Sequence, residues 1–277
     1  MMINQVRVYP IEDSHFYYSI GGFDMISFKN AQLLRTKHYW IGQQDYFLSD
    51  DFLSLTSRHS TFQPLKPVTR AQTYQIQDHT YTFGSIGTVL KLREEGEAGH
   101  LIVLNFANAL HPGGGYLWGA KAQEEDLCRC SFLYQALKTQ PGYYLKNLLH
   151  YSSYGPDECL FSRDVPIFRN ESYELIPPTQ ASFLTAVAVN RTLLKWSTLN
   201  TYSRKRVETC LEERMKHILS LALSQNPDIL VLGAWGCGVF GNDQAFVLSR
   251  FESLIQTYVP LDQVRVVFAM PELNNHP

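Results

Sequence analysis

Four acidic or amide side chains in a row, Gln123-Glu124-Glu125-Asp126, follow three consecutive glycines, Gly113-Gly114-Gly115, after seven residues, Tyr116 to Ala122. Glycines without Cβ atoms let a ligand approach the main chain and reach φ > 0. Such a run can turn several N–H groups toward one anion. Acids at the start of a helix have an ordinary explanation, because they complement the helix dipole. Their distance from the glycine turn adds a chemical one. Adjacent helical residues point about 100° apart, so one glutamate can reach a reacting bond while the other holds a sugar hydroxyl. The helix N-terminus favours the carboxylate, whereas neighbouring acids and a bound diphosphate favour the protonated form. A general acid requires the second effect to win once ligand is bound.

A second glycine window has the same setting. Gly233-Ala234-Trp235-Gly236-Cys237-Gly238-Val239-Phe240-Gly241 follows an apolar run and precedes a helical pattern. Eight of the 17 glycines lie in Gly113–Gly119 and Gly233–Gly241, so an average glycine content hides two concentrated loops. Gly236, Gly238 and Gly241 spell G-x-G-x-x-G, but the motif stands about forty residues from the end and no acid closes the following strand, unlike the dinucleotide fingerprint. Gly114-x-x-x-x-Gly119-Ala120-Lys121 sets its lysine one place late for a phosphate loop and lacks the Ser or Thr. Two glycine loops at strand ends suit a diphosphate held by backbone N–H groups, with neither lysine nor metal.

Both loops need strands behind them, since ligands of open α/β sheets lie beyond the carboxyl ends of strands. Buried strands are expected at Leu101–Leu104, Phe183–Val189, Ile229–Leu232 and Val264–Met270, with weaker ones at Tyr81–Ile86 and Val165–Phe168. Apolar stripes at helical spacing run through Leu127, Cys130, Tyr134 and Leu137, through Val207, Leu211, Met215, Ile218 and Ala222 before Pro227, and through Leu248, Phe251, Ile255 and Tyr258. Alternating short strands and amphipathic helices predict an α/β sheet covered on both faces over residues 79–277. Residues 1–78 carry no motif and are expected as an N-terminal extension packed on that core.

The 277 residues hold 24 Lys+Arg and 26 Asp+Glu, a net charge of −2, which excludes general nucleic-acid binding through a basic face. No apolar run of membrane-spanning length occurs, and no secretory signal is visible. A cytoplasmic protein without membrane partner is therefore expected. The five cysteines are odd in number and scattered, the pattern of reduced thiols. Cys128 and Cys130 form C-x-C without a matching pair, so no metal site is expected. Arg191, Lys195, Arg204, Lys205 and Arg206, with Trp196 and Tyr202, could meet a polyanion, although a solvated face is the ordinary reading. Trp235 reads as packing behind its loop, and Cys237 as a small residue rather than a reactive thiol.

These residues resemble the signature of the poly(ADP-ribose) glycohydrolases, in particular their bacterial-type branch. Gly113-Gly114-Gly115, seven residues, then Gln123-Glu124-Glu125 is similar to the family's catalytic motif. Asn105-Phe106-Ala107-Asn108 resembles its ligand-facing strand end, and Trp235–Gly241 its diphosphate loop. The resemblance covers residue 80 onward and implies a three-layer α/β/α macrodomain with a mixed central sheet. It implies hydrolysis of ribose–ribose O-glycosidic bonds in poly(ADP-ribose) from the chain end, releasing ADP-ribose, with no cofactor. Glu125 would be the general acid/base and Glu124 would hold a ribose hydroxyl. Asn108 and Gln123 would bind the ligand, Asn108 at the terminal ribose. Gly113, Gly114, Gly115, Gly236, Cys237, Gly238 and Val239 would bracket the diphosphate, and Phe240 would pack on the ribose. Partners would be poly(ADP-ribose), ADP-ribose and ADP-ribosylated proteins. Two alternatives stay open: a macrodomain that binds ADP-ribose without hydrolysis, and a mono-ADP-ribosyl hydrolase. The pair Glu124 and Glu125 disfavours the pure binder.

Overall fold

A computed structural model describes residues 24–69, 73–196 and 203–271. The chain opens with α1 (Met25–Thr36), the hairpin β1 (His38–Ile41) and β2 (Gln44–Phe47), and β3 (Thr56–His59). Next come β4 (Thr80–Tyr81), α2 (Ser85–Glu94), β5 (Leu101–Phe106), α3 (Gln123–Cys130), α4 (Leu133–Lys138) and α5 (Pro141–Leu149). A long antiparallel pair, β6 (Cys159–Arg169) and β7 (Leu175–Ala186), leads to α6 (Arg191–Trp196) and α7 (Arg204–Ser224). The chain then finishes through β8 (Ile229–Gly233), α8 (Gln244–Tyr258) and β9 (Arg265–Ala269).

Seven strands form one mixed sheet in the order β3-β6-β7-β5-β8-β9-β4. From β7 to β4 all neighbours are parallel, while β6 and β3 run antiparallel at the other side. The strand period of two sorts the side chains onto two faces. Ile102, Leu104, Leu230 and Leu232 join the cluster containing Val207, Leu211 and Met215 of α7 and Phe251 and Ile255 of α8. Leu101, Val103, Ile229 and Val231 join the cluster containing Val89 and Leu92 of α2, Leu127 of α3, and Leu133 and Leu137 of α4. The result is a three-layer α/β/α arrangement, as the alternating pattern predicts. Each fully buried aliphatic side chain contributes about 1.5–3 kcal/mol relative to exposure.

The structure departs from the sequence expectations at several elements. The strand expected at Tyr81–Ile86 stops at Tyr81, and Ile86 lies buried in the first turn of α2. Ile86, Val89 and Leu92 share one helical face, so the apolar spacing there is 3 and not 2. The strand at Phe183–Val189 ends at Ala186 but begins at Leu175, and Val165–Phe168 is the middle of the longer β6. The stripe Leu127, Cys130, Tyr134, Leu137 spans two helices instead of one. Ser131 breaks it in an extended conformation (φ −140, ψ 178). Its Oγ donates to Leu127 O at 2.6 Å and accepts from Leu133 N at 3.1 Å, ending α3 and opening α4 with one side chain.

Residues before 79 contribute to the sheet as well as packing on it. β3 pairs antiparallel with β6 in the register Thr56↔Ser162, and the two hydroxyls hydrogen-bond at 3.2 Å. Its neighbour in sequence, the β1–β2 hairpin, forms a separate two-stranded sheet.

Candidate active site

β7, β5 and β8 are adjacent and parallel, so the loops that leave them gather at one edge. The loop after β5 carries Gly113–Gly115, the loop after β8 carries Gly236–Gly241, and the segment after β7 leads into α6. Both glycine windows thus leave neighbouring parallel strands at the same end of the sheet.

The first loop curls over the start of α3. Gly113 and Gly114 adopt φ +69 and φ +57, a region that disfavours other residues. A Cβ on Gly114 would run into Glu125 Oε1. The turn therefore rests directly on the carboxylates. Glu125 Oε1 accepts from Gly115 N at 2.8 Å, and the residue is 7% exposed. Glu124 is buried more deeply, at 2%. Its two oxygens accept from Asn105 Nδ2 (3.1 Å) and from Asn108 N (2.7 Å). Burial pushes its carboxyl up to about 8, against the opposing pull of the hydrogen bonds from Asn108 and Asn105. At neutral pH Glu124 is mostly protonated and can donate as well as accept. Adjacent acids on one helix thus occupy different settings, one at the glycine turn and one beneath the strand end.

Asn108 Oδ1 accepts from the backbone N–H of Leu110 (2.8 Å) and His111 (3.0 Å), folding the entry to the loop. Gln123 works inside the protein. Its Oε1 accepts from Phe106 N at 2.9 Å, and its Nε2 donates to Leu104 O (2.8 Å) and Ser85 Oγ (3.0 Å). This amide ties α3 to the end of β5 and to α2, and so fixes where Glu124 and Glu125 begin. Asn105, which pairs with Thr185 in the sheet, shares its amide between Glu124 and Thr185 Oγ1 (3.2 Å).

The second loop is anchored to α6. Thr192 N donates to Phe240 O (3.1 Å) and Thr192 Oγ1 to Val239 O (3.2 Å). Asn242, buried at 6% exposure, donates through Nδ2 to Val189 O (2.8 Å) and Gly236 O (3.0 Å). Gly236 stands at φ +74 with Ala188 Cβ where its own Cβ would be. Gly238 has open space at that position and Val239 is 76% exposed. The middle of the loop therefore faces outward while its ends are fixed. Trp235 is fully buried and its Nε1 donates to Ala186 O at 3.0 Å. Burial pushes the Cys237 thiol up to about 12, so it stays an unreactive SH.

The basic cluster does not converge on these loops. Lys195, Arg204, Lys205 and Arg206 are exposed, Arg204 pairs with Glu208, and Arg206 lies over the Tyr154 ring. Arg191 reaches the second loop, at Gly241 O (3.4 Å). The Trp196 side chain and Tyr202 lie outside the described residues. Among the described residues no three His, Cys, Asp or Glu side chains group as a metal site, and no helix is long and apolar enough to cross a membrane. Sequence reasoning passed over Asn242, whose signal was a polar residue between a loop glycine and a helix-capping Asp243. It also passed over Arg129 and Asp24, which carried none.

Comparison with known proteins gives a consistent answer. The sequence model of the microbial-type PARG catalytic domain, PARG being poly(ADP-ribose) glycohydrolase, matches residues 29–170. The poly(ADP-ribose) glycohydrolase of Thermomonospora curvata bound to the inhibitor ADP-HPD is 28% identical, with a TM-score of 0.75 over 91% of this chain and 94% of that one. The poly(ADP-ribose) glycohydrolase of Deinococcus radiodurans in complex with ADP-ribose is 38% identical, with a TM-score of 0.64 over 72% of this chain and 78% of that one. A sequence comparison with curated proteins finds no match.

Proposed function

This chain belongs to the microbial-type poly(ADP-ribose) glycohydrolase family, and from that premise we propose that Glu125 is the general acid and base of its hydrolysis. The observation that carries this assignment is the position of its carboxyl, partly buried at the start of α3 and 2.8 Å from the N–H of Gly115. A ligand phosphate or ribose lying against the glycine turn lies against Glu125.

The reaction follows from those groups. The glycosidic bond joins the anomeric carbon of the terminal ribose to the 2′-oxygen of the next unit. Glu125 gives its proton to that oxygen as the bond breaks, and the anomeric carbon becomes oxocarbenium-like. The substrate's own diphosphate, bound between Gly113–Gly115 and Gly236–Val239 by main-chain N–H groups, stabilises the positive charge. Water then adds to the carbon and its proton returns to the Glu125 carboxylate. The products are ADP-ribose and a chain shorter by one unit. One carboxyl serves both steps, whereas most glycosidases divide them between two.

Glu124, neutral and held by Asn105 and the Asn108 backbone, hydrogen-bonds a hydroxyl of the terminal ribose. Asn108 contributes its side-chain amide to the same sugar, and Phe240 covers it. Gln123 acts by positioning α3. The ligand is ADP-ribose at the end of the polymer, and chains attached to ADP-ribosylated proteins present the same end.

The test uses wild type and Glu125→Gln with poly(ADP-ribose) and with a mono-ADP-ribosylated protein. Wild type is expected to release free ADP-ribose from the polymer at early times, without intermediate oligomers. The variant is expected to lose about 10²–10⁴ in rate while still binding ADP-ribose. Binding without release by wild type would make the protein a reader. Release only from the mono-modified protein would make it a mono-ADP-ribosyl hydrolase.

A further inference from the structure

We propose that Arg129, held by Asp24, is a positioning residue for Glu125, so that the segment before the sheet is part of the catalytic apparatus. The proposal rests on Glu125 being the general acid. Arg129 lies in the last turn of α3 with its side chain 4% exposed. Its Nε donates to Asp24 Oδ2 at 2.5 Å, its Nη1 to Asp126 Oδ1 at 3.2 Å, and its Nη2 to Ala120 O at 2.6 Å. The third of these bonds is the informative one. Ala120 N donates to Gly115 O at 3.2 Å, and a Cβ on Gly115 would lie 2.5 Å from Ala120 Cβ. Gly115 N in turn donates to Glu125 Oε1. Arg129, Ala120, Gly115 and Glu125 form one continuous run of contacts, ending on the reacting carboxyl.

Asp24 anchors the other side. It caps α1 through Oδ1, which accepts from Ile26 N at 2.8 Å, and its own N–H donates to Leu117 O at 2.9 Å. A single residue thus starts α1, grips the catalytic loop and neutralises the buried guanidinium. Asn30, one turn into the body of α1 and 2% exposed, repeats the grip. Its Nδ2 reaches Tyr116 OH (3.2 Å) and Arg129 O (2.9 Å), and its Oδ1 accepts from Arg169 Nε (3.1 Å). The loop between Gly115 and Ala120 is therefore also held by α1. A guanidinium fits this task because its planar fork spreads donors over three nitrogens, one for each acceptor, whereas an ammonium carries all its donors on a single atom. An Asp24 without its charge would leave the buried Arg129 with only the half-exposed Asp126 as counter-ion, an unfavourable state.

The experiment compares Asp24→Asn, Arg129→Met and the double variant with wild type. Steady-state kinetics on poly(ADP-ribose), with active sites counted by ADP-ribose binding, are combined with amide hydrogen exchange. Each single variant is expected to lower kcat roughly tenfold or more, since small displacements of a catalytic group carry such losses, while KM changes by less than about twofold. Exchange should quicken at residues 113–122 and not across β5 or β8. The double variant should be no slower than the slower single one, because both act through one contact run. Normal kcat in a variant of lowered melting temperature would overturn the proposal and leave Arg129 a purely structural residue. Raised KM with unchanged kcat would also overturn it, in favour of a binding role. If Arg129→Met does not fold, Asp24→Asn, which preserves shape, decides alone. If wild type releases no ADP-ribose, the glycohydrolase reading fails, and the exchange data still report whether Asp24 and Arg129 hold the loop.

Discussion

Gly114 and Glu125 lie so close that the glycine has no room for a side chain. At φ +57, with the carboxylate where a Cβ would be, Gly114→Ala must strain the turn and push Glu125 aside. The expected outcome is a stability loss of about 1–3 kcal/mol and a fall in kcat exceeding that in affinity for ADP-ribose, measured by urea unfolding, kinetics and calorimetry. Glu124 makes a different prediction. Its carboxyl titrates near 8 in the folded protein against 4.5 ordinarily, so the native state binds a proton that the unfolded chain releases. The associated stability is fully present below pH 4.5 and is lost as pH rises through 8, at up to about 1.4 kcal/mol per pH unit. Glu124→Gln removes that slope. Urea unfolding at pH 5.5, 7 and 8.5 should show wild type weakening with pH relative to the variant, and parallel curves would refute the assignment.

At the scale of elements, the strand–glycine–helix junctions were legible because their signals are local. A continuous apolar run, a glycine cluster and an acidic helix start lie within about twenty residues of each other, and the parallel pairing of β5 with β8 then brings them together. Helix ends and long-range anchors were not legible. The α3–α4 break depends on Ser131 meeting β6 at Ile167, a contact 36 residues away in sequence, so the stripe through Leu127 and Tyr134 read as continuous. α1 carries little periodic pattern because only Asn30 in it is buried; beyond the partly buried Leu33 and Leu34 it docks through hydrogen bonds, which spacing does not reveal. The second loop offers a test at this scale. Asn242→Ala removes both side-chain clamps, to Val189 O and Gly236 O, and leaves each carbonyl a single backbone donor, Arg191 N and residue 242 N respectively. We expect a stability loss of about 1–3 kcal/mol and roughly tenfold weaker ADP-ribose binding by calorimetry. Because the clamp acts on the diphosphate loop, kcat should change less than the dissociation constant.

For the whole molecule, the net charge of −2 accords with the proposed binding of a polyanionic substrate through neutral N–H groups instead of a basic face. Catalysis should therefore depend weakly on salt. Between 50 and 200 mM NaCl, KM for the polymer should move by less than about tenfold, against the 10³–10⁵ expected of a protein gripping six to ten phosphates with cations. A steep rise in KM would bring the exposed Arg204–Arg206 face into the binding site. The contacts of α1 and β3 also bear on how the protein is made. Asn30 to Cys128, Arg58 to Glu158, Asp24 to Arg129 and Thr56 to Ser162 are separated by 98, 100, 105 and 106 residues. On a translating ribosome, the leading segment must wait for about a hundred further residues before its partners exist, a delay of roughly 5–20 s at ordinary elongation rates. Until then Asp24 and Asn30 lack Arg129, and β3 lacks β6, the strand it pairs with. The outer support of the glycine turn is thus completed only once residues on both sides of this long span have been made.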